Sequence, residues 1–233
     1  QYMKYAAIIA IILSSSFGLY TWMNNPESQM VAVTVRAGSK AEMALPDGTF
    51  VHLNAATNLE YDVNNSKQRL VKLSGEAFFD VAKNPDCPFK VIINDLQIEV
   101  VGTSFNVKTY KKDIVETSLL SGRIRISGGS LPHEYTLSPG QKATYSAMDR
   151  TLRISKADAH VEAGWRDNYL IFESTPLIDV IAQIERWYGV EIRLHHKQIA
   201  QDLLSGSFRN ESIQNVIRSL SIQYGFKYEI HKD

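Results

Sequence analysis

Hydrophobic and polar positions divide the chain into three stretches of different period. The first has no period at all. From Tyr5 to Trp22 runs YAAIIAIILSSSFGLYTW, 18 residues without a formal charge. A helix of that length rises roughly 27 Å at ~1.5 Å per residue, close to the hydrocarbon thickness of a bilayer. Tyr2 and Tyr5 at one end, and Tyr20 and Trp22 at the other, suit the two interfacial aromatic belts. Ser14, Ser15 and Ser16 can bond back to their own helix carbonyls. The stretch predicts a single transmembrane helix. Lys4 precedes it and no Lys or Arg follows until Arg36, which favours the N-terminus inside and the C-terminus outside. A signal peptide would need a small-x-small cleavage site where Phe17, Leu19, Tyr20 and Trp22 stand. The opening residue is Gln1, one turn before this helix, so a further segment is expected on the other side of the membrane.

Residues 23–30 (MNNPESQM) are polar and read as a tether. From Val31 the period becomes two: Val31, Val33 and Val35 alternate with Ala32, Thr34 and Arg36. Similar runs recur at Thr49–Leu53, Gln68–Leu73, Phe89–Ile93, Leu96–Val101, Thr103–Tyr110, Asp113–Leu120 and Gly122–Ser127. Turn signals separate them, among them Pro46-Asp47-Gly48, Gly75, Asn84-Pro85-Asp86, Gly128-Gly129 and Pro139-Gly140. Short strands with such punctuation predict an all-β domain. Asp47-Gly48 predicts a hairpin with a type I′ turn, and Gly75 a turn or bulge. Strand pairing is not legible from one sequence, so sandwich, barrel and solenoid stay open.

The third stretch repeats. Phe172, Leu177, Val180, Ile181, Ile184, Tyr188 and Gly189 are matched by Phe208, Ile213, Val216, Ile217, Leu220, Tyr224 and Gly225, each displaced by 36 positions. The apolar spacing i, i+3, i+4, i+7 predicts two helices, each stopped by its Gly. Ser174 or Thr175, then Pro176, would open the first; Asn210 or Ser212 would cap the second. Strands are expected before them, at Tyr169–Phe172 and Leu204–Phe208, and after them, at Val190–Leu194 and Phe226–Ile230. The expected fold is therefore an all-β, solenoid- or sandwich-like domain over residues 26–155. A small α+β domain of two βαβ repeats follows over 156–233, and a transmembrane helix within 1–25 precedes both.

Composition narrows the function. The 233 residues carry 25 basic and 25 acidic side chains, which argues against nucleic acid as a partner. One Cys, Cys87, excludes a disulfide scaffold. P-loop, G-x-S-x-G, H-E-x-x-H and C-x-x-C motifs are absent, so no cofactor or metal is expected. His195 and His196 are neighbours on a predicted strand and point to opposite faces, a poor start for a metal site. Cys87 has no nearby cationic run to activate it. Asn64-Asn65-Ser66 and Asn210-Glu211-Ser212 match the glycosylation sequon. Gly102-Thr103 joins two apolar strands. A Thr hydroxyl beside a strained Gly carbonyl can attack it and exchange the amide for an ester, although a bulge glycine before a strand threonine explains the pair as well.

The motifs then resemble a known family. Leu45-Pro46-Asp47-Gly48-Thr49-x-Val51-x-Leu53-Asn54, Val71-x-Leu73-Ser74-Gly75-Glu76-Ala77-Phe78-Phe79-Asp80-Val81 and Pro88-Phe89-x-Val91 stand in order. Val100-x-Gly102-Thr103-Ser104-Phe105-Asn106-Val107 and Leu137-Ser138-Pro139-Gly140-Gln141 complete the set. The pattern resembles the FecR family of membrane-anchored anti-sigma factors in its Bacteroidetes form, and the repeat resembles a secretin/TonB short N-terminal domain. The resemblance implies an inner-membrane, single-pass regulator with its C-terminal part in the periplasm. It would receive the signalling domain of an outer-membrane TonB-dependent transporter and control a cytoplasmic extracytoplasmic-function sigma factor through a segment missing from this chain. It also implies self-cleavage between Gly102 and Thr103 in some members, and otherwise no enzymatic activity.

A partner strand would add to an exposed edge of the C-terminal domain, either at Val190, Ile192 and Leu194 or at Leu204, Ser207 and Phe208. A polymer- or carbohydrate-binding β domain is the competing expectation, with Tyr61, Phe78 and Tyr110 as its platform.

Overall fold

The computed structural model describes residues 13–20, 29–63, 69–194 and 197–229. The period-two region folds into two seven-stranded sheets. One contains, in spatial order, β1 (Met30–Val35), β4 (Thr57–Asp62), β5 (Arg69–Ser74), β7 (Phe89–Ile93), β8 (Leu96–Val100), β11 (Ile124–Gly128) and β12 (Tyr135–Leu137). The other runs β14 (Thr151–Lys156), β13 (Gln141–Ser146), β10 (Ile114–Ser121), β9 (Ser104–Lys108), β6 (Glu76–Asp80), β3 (Phe50–Leu53) and β2 (Ala41–Ala44). We call them the first and second sheets. β5 and β7 run parallel, whereas neighbours such as β7 and β8 or β6 and β9 run antiparallel.

The chain changes sheet repeatedly, for example from β5 to β6 at Gly75 and from β8 to β9 at Val101-Gly102-Thr103. Alternate residues of both sheets therefore face one dry core, and the fold is a sandwich rather than a solenoid. Val51, Leu53, Phe79, Phe105 and Val107 come from the second sheet and meet Leu59, Phe89, Val91, Ile98 and Ile126 of the first. Phe79 stacks on Phe105 at 5.2 Å and reaches Phe89 across the core at 5.8 Å.

Turn chemistry explains two of the corners. The Asp47 carboxylate accepts from the Thr49 amide at 3.0 Å and from its hydroxyl at 2.8 Å. Gly48 has φ +82°, while Asp47 is not among the residues with positive φ. The β2–β3 hairpin thus closes through a longer loop with one left-handed glycine, not the two-residue type I′ turn expected, because the Gly48 amide bonds back to the Leu45 carbonyl and the Asp47 carboxylate is committed to Thr49. Gly75, at φ +116°, is where the chain crosses between sheets, and a Cβ there would lie 2.5 Å from Thr57 Oγ1 and 2.6 Å from Thr57 Cα. Arg69 is buried: its guanidinium pairs with Asp47 at 3.2 Å and donates to the carbonyls of Ala82, Asn84 and Cys87, which fixes the loop after β6.

The expected transmembrane helix needs correction. Of residues 5–22, only 13–20 are described, and they are helical (α1). Among the described residues no helix is long and apolar enough to cross a membrane.

The repeat forms β15 (Tyr169–Pro176), α3 (Leu177–Tyr188), β16 (Leu203–Arg209) and α4 (Ile213–Tyr224), preceded by the short α2 (Ala159–Ala163). Gly189 (φ +68°) and Gly225 (φ +70°) end α3 and α4 as the pattern predicts. Ser212 caps α4 through its hydroxyl, but α3 starts at Pro176 with no side-chain cap. Instead the Leu177 amide donates to the Asp202 carbonyl at 2.8 Å.

The two βαβ units are likewise corrected. β15 and β16 pair antiparallel, Leu170 opposite Phe208. Residues 190–194 and 226–229 form no strand, and Ile230 lies outside the described residues. The Ile192 amide donates to the Glu185 carboxylate at 2.7 Å, so this segment is tied to α3. Its alternation reflects Ile192 and Leu194 packing on a core of Leu170, Phe172, Val180, Ile184, Val216 and Leu220.

Gly75→Ala tests the sheet crossing. The added methyl meets Thr57 backbone under positive φ, so urea denaturation should show a loss of about 2 kcal/mol or more; an unchanged midpoint would contradict the packing described.

Candidate functional site

On β6, Ala77 and Phe79 point into the sandwich core, so Glu76 and Phe78 point out of the second sheet. That outer face is not left to water. A strap of α2 and the 3-10 turn Gly164–Asp167 lies across it. Ala163 and Trp165 bury against Phe78 and Leu120, and the Arg166 guanidinium stands 3.6 Å above the Phe78 ring. Asp158 caps α2, accepting from the His160 amide at 2.8 Å. Glu162 is held by the Ser118 hydroxyl and the Lys142 ammonium, both at 2.9 Å.

Under the strap Glu76 is buried, with a relative exposure of 7%. Its two carboxylate oxygens accept from Asn54 Nδ2 at 2.7 Å and Asn106 Nδ2 at 2.9 Å. Asn106 Oδ1 in turn accepts from Trp165 Nε1 at 3.1 Å. One hydrogen-bonded chain therefore links β6, β9 and the strap. Three of the sequence motifs meet in it, contributing Asn54, Glu76 and Asn106.

The C-terminal module docks beside this centre. Lys40, in the turn before β2, donates to the Trp165 carbonyl at 2.6 Å and to Asn168 Oδ1 at 2.9 Å. Its ammonium also lies 3.6 Å from the centroid of Trp187 on α3. Burial lowers Lys40 to about 8, against the pull of Glu76. Arg186 stacks on Tyr110 at 4.2 Å. The Tyr110 phenol, which donates to the Ala55 carbonyl, is pushed up by burial first and by Glu76 second. Burial also lowers Arg186. The Gly38 amide donates to the Arg186 carbonyl at 2.8 Å, and Lys111 pairs with Asp179 at 2.6 Å.

Gly102 and Thr103 sit at the corner between β8 and β9. Thr103 is 3% exposed, and its hydroxyl donates to the Arg123 carbonyl at 3.1 Å. A Cβ on Gly102 would lie 2.9 Å from Lys83 Cα, so the loop held by Arg69 packs directly on this peptide. A Cβ on Gly122 would lie 2.7 Å from both the Gly102 carbonyl oxygen and Thr103 Oγ1, so both atoms face Gly122.

The expected partner residues separate. Leu204 is core, 2% exposed, and Ile192 and Leu194 pack on the module, whereas Val190 is 37% exposed. Ser207 and Phe208 lie on β16, which among the described residues pairs only with β15. Beside them a groove of about 360 Å³ is lined by Phe208, Glu211, Asn215, Arg218, Ser219 and Ile222.

Tyr61, Phe78 and Tyr110 do not share a surface: Tyr61 packs on the sandwich core from the first sheet, Phe78 is buried under the strap, and Tyr110 is in the junction. His195 and His196, and the sequon at 64–66, lie outside the described residues. Sequence reasoning missed Lys40, Asn54, Asn106, Trp165 and Trp187. The available signal was a Glu at an outward strand position flanked by Gly75 and three apolar residues.

The fold and its junction define a class: an all-β body with a small α+β module docked beside a buried carboxylate. Family models agree, the FecR protein model matching residues 31–125 and the FecR C-terminal model residues 169–233. Two crystal structures of candidate anti-sigma factors from Parabacteroides distasonis ATCC 8503 share 30% identity and TM-scores of 0.78 and 0.79 with this chain. The matches cover 87% and 88% of this chain and 95% and 96% of theirs. No curated protein matches. The chain belongs to the FecR family.

The lowered Lys40 has a signed consequence. Between about 8 and 10.5 the unfolded chain keeps a proton that the folded chain has shed, so Lys40 adds stability as pH rises through that window and none below it. Tyr110, raised in the folded state, acts oppositely above about pH 10. Urea midpoints of the native chain should therefore rise relative to Lys40→Met between pH 8 and 10. A constant difference would refute the buried setting of this ammonium.

Proposed function

We propose that this chain is an anti-sigma regulator. It relays a signal from an outer-membrane TonB-dependent transporter to a cytoplasmic sigma factor, and does so by protein–protein contact. The observation that carries the receiving step is β16: an edge strand with exposed Leu203 and Ser207, bordered by the Phe208–Ile222 groove. A strand from the transporter's signalling domain adds main-chain hydrogen bonds to that edge, and its alternate side chains enter the groove. The periplasm is the compartment in which the two would meet. Family membership and the likeness to the two candidate anti-sigma factors support the output side of the reading.

Ile222 is 76% exposed, so Ile222→Glu leaves the module core alone. Titration of the chain with the isolated signalling domain of its transporter should give micromolar binding, weakened at least about tenfold by Ile222→Glu, in line with the loss of one apolar anchor. Absence of binding at high micromolar concentration would overturn the reading.

A second reading is favoured by the Gly102-Thr103 corner, where the Thr103 hydroxyl and the Gly102 carbonyl oxygen both lie within 2.7 Å of one point beside Gly122. The Thr103 hydroxyl oxygen adds to the Gly102 carbonyl carbon, and the C–N bond breaks as the hydroxyl proton passes to the Thr103 nitrogen. Water then cleaves the ester, leaving a Gly102 carboxylate and a free Thr103 amine. On a denaturing gel the native chain should give two fragments and Thr103→Ala one; a single band from freshly lysed cells for the native chain would dismiss self-cleavage.

A further inference from the structure

The sandwich and the module have separate hydrophobic cores. What joins them is local: one tryptophan, a backbone approach and a few polar contacts. Trp187 packs both on the module core and on the strap cluster of Phe78, Ala163 and Trp165. Gly38 and Gly189 meet backbone to backbone: a Cβ on Gly38 would lie 3.1 Å from the Tyr188 carbonyl oxygen, and one on Gly189 would lie 3.1 Å from that of Ala37. The remaining contacts are the Gly38–Arg186 hydrogen bond, Lys40 on Trp187, Arg186 on Tyr110 and the Lys111–Asp179 pair.

Between the surfaces lies a gap of about 10 Å³ lined by Asn54, Glu76, Tyr110, Gln183, Arg186 and Trp187 among others, the size of a single water site rather than a jigsaw fit. The strap enters β15 through Asn168 in the left-handed conformation, φ +60°.

We propose that this junction is a releasable latch: the module swings off the sandwich as a folded body, uncovering the α3 face formed by Asp179, Gln183, Arg186 and Trp187. In the closed state these four side chains are half-buried against the sandwich and the strap. Release breaks few apolar contacts, because neither core is opened. It frees the Lys40 ammonium from a site where burial disfavours its charge. The closed state is fixed by shape as well as by bonds, since a side chain on Gly38 or Gly189 would crowd the facing backbone at 3.1 Å and be strained at positive φ. None of this depends on which partner the module receives.

The Gly38 amide reports directly on the latch, because its acceptor is across the junction. Hydrogen exchange on the full chain should show the Gly38 amide exchanging at least about tenfold faster in Trp187→Ala. Core amides of the sandwich such as Val91 and Ile98, and of the module such as Leu170 and Phe208, should change less than about twofold. Lys111→Glu should have the same local effect, and Lys111→Glu with Asp179→Lys should reverse it. Two results would overturn the proposal. Acceleration spread evenly through both cores would make docking part of one cooperative unit, and an unchanged Gly38 rate in Trp187→Ala would mean that this junction is not a latch.

Discussion

A carboxylate taken out of water must be given donors, and most of this molecule's arrangement can be followed from that requirement at Glu76. Left unpaired, such a group costs several kcal/mol. Asn54 and Asn106 supply the two N–H groups, which commits both amide side chains to one orientation. Asn106 then presents its oxygen outward, and Trp165 Nε1 takes it. Trp165 brings the strap onto the sheet, and its carbonyl receives Lys40. Lys40 in turn reaches Trp187 of the module. Each step is a polar group satisfied by the next, running from the middle of the second sheet to the C-terminal helices.

Much of the fold was legible in the sequence because it rests on periodicity. Val31, Val33 and Val35, or Phe105 and Val107, alternate as a half-buried strand must, and the 36-residue repeat places both module helices and their Gly caps. The failures share a cause. Val190–Leu194 alternates in the same way, yet its apolar side chains pack on α3 and its backbone bonds to Glu185, so alternation measured burial and not pairing. The span expected at 5–22 rests on hydropathy, aromatic flanks and charge asymmetry, yet among the described residues no helix is long and apolar enough to cross a membrane. Choosing sandwich over solenoid required knowing where the chain crosses between sheets, a tertiary fact.

The candidate site was hardest to read for the same reason. Lys40, Asn54, Glu76, Asn106, Trp165 and Trp187 come from distant parts of the chain, and nothing in their local spacing joins them. The motifs carried some of them, as Asn54, Glu76 and Asn106 lie within three of the family patterns. Lys40 and Trp187 belong to none. They are where the FecR sandwich meets its C-terminal module.

The most direct measurement is a double-mutant cycle between Glu76→Gln and Trp165→Phe, followed by urea unfolding. Their hydrogen bonds meet at Asn106, and Lys40 lies near both. Glu76→Gln keeps an acceptor oxygen for one of the Asn54 and Asn106 donors and sets an amide donor against the other, and Trp165→Phe leaves the Asn106 oxygen without its partner. If Asn106 transmits between them, the double variant departs from the sum of the single losses by about 0.5 kcal/mol or more. Additive losses would show that the carboxylate and the strap are independent, and would contradict the account.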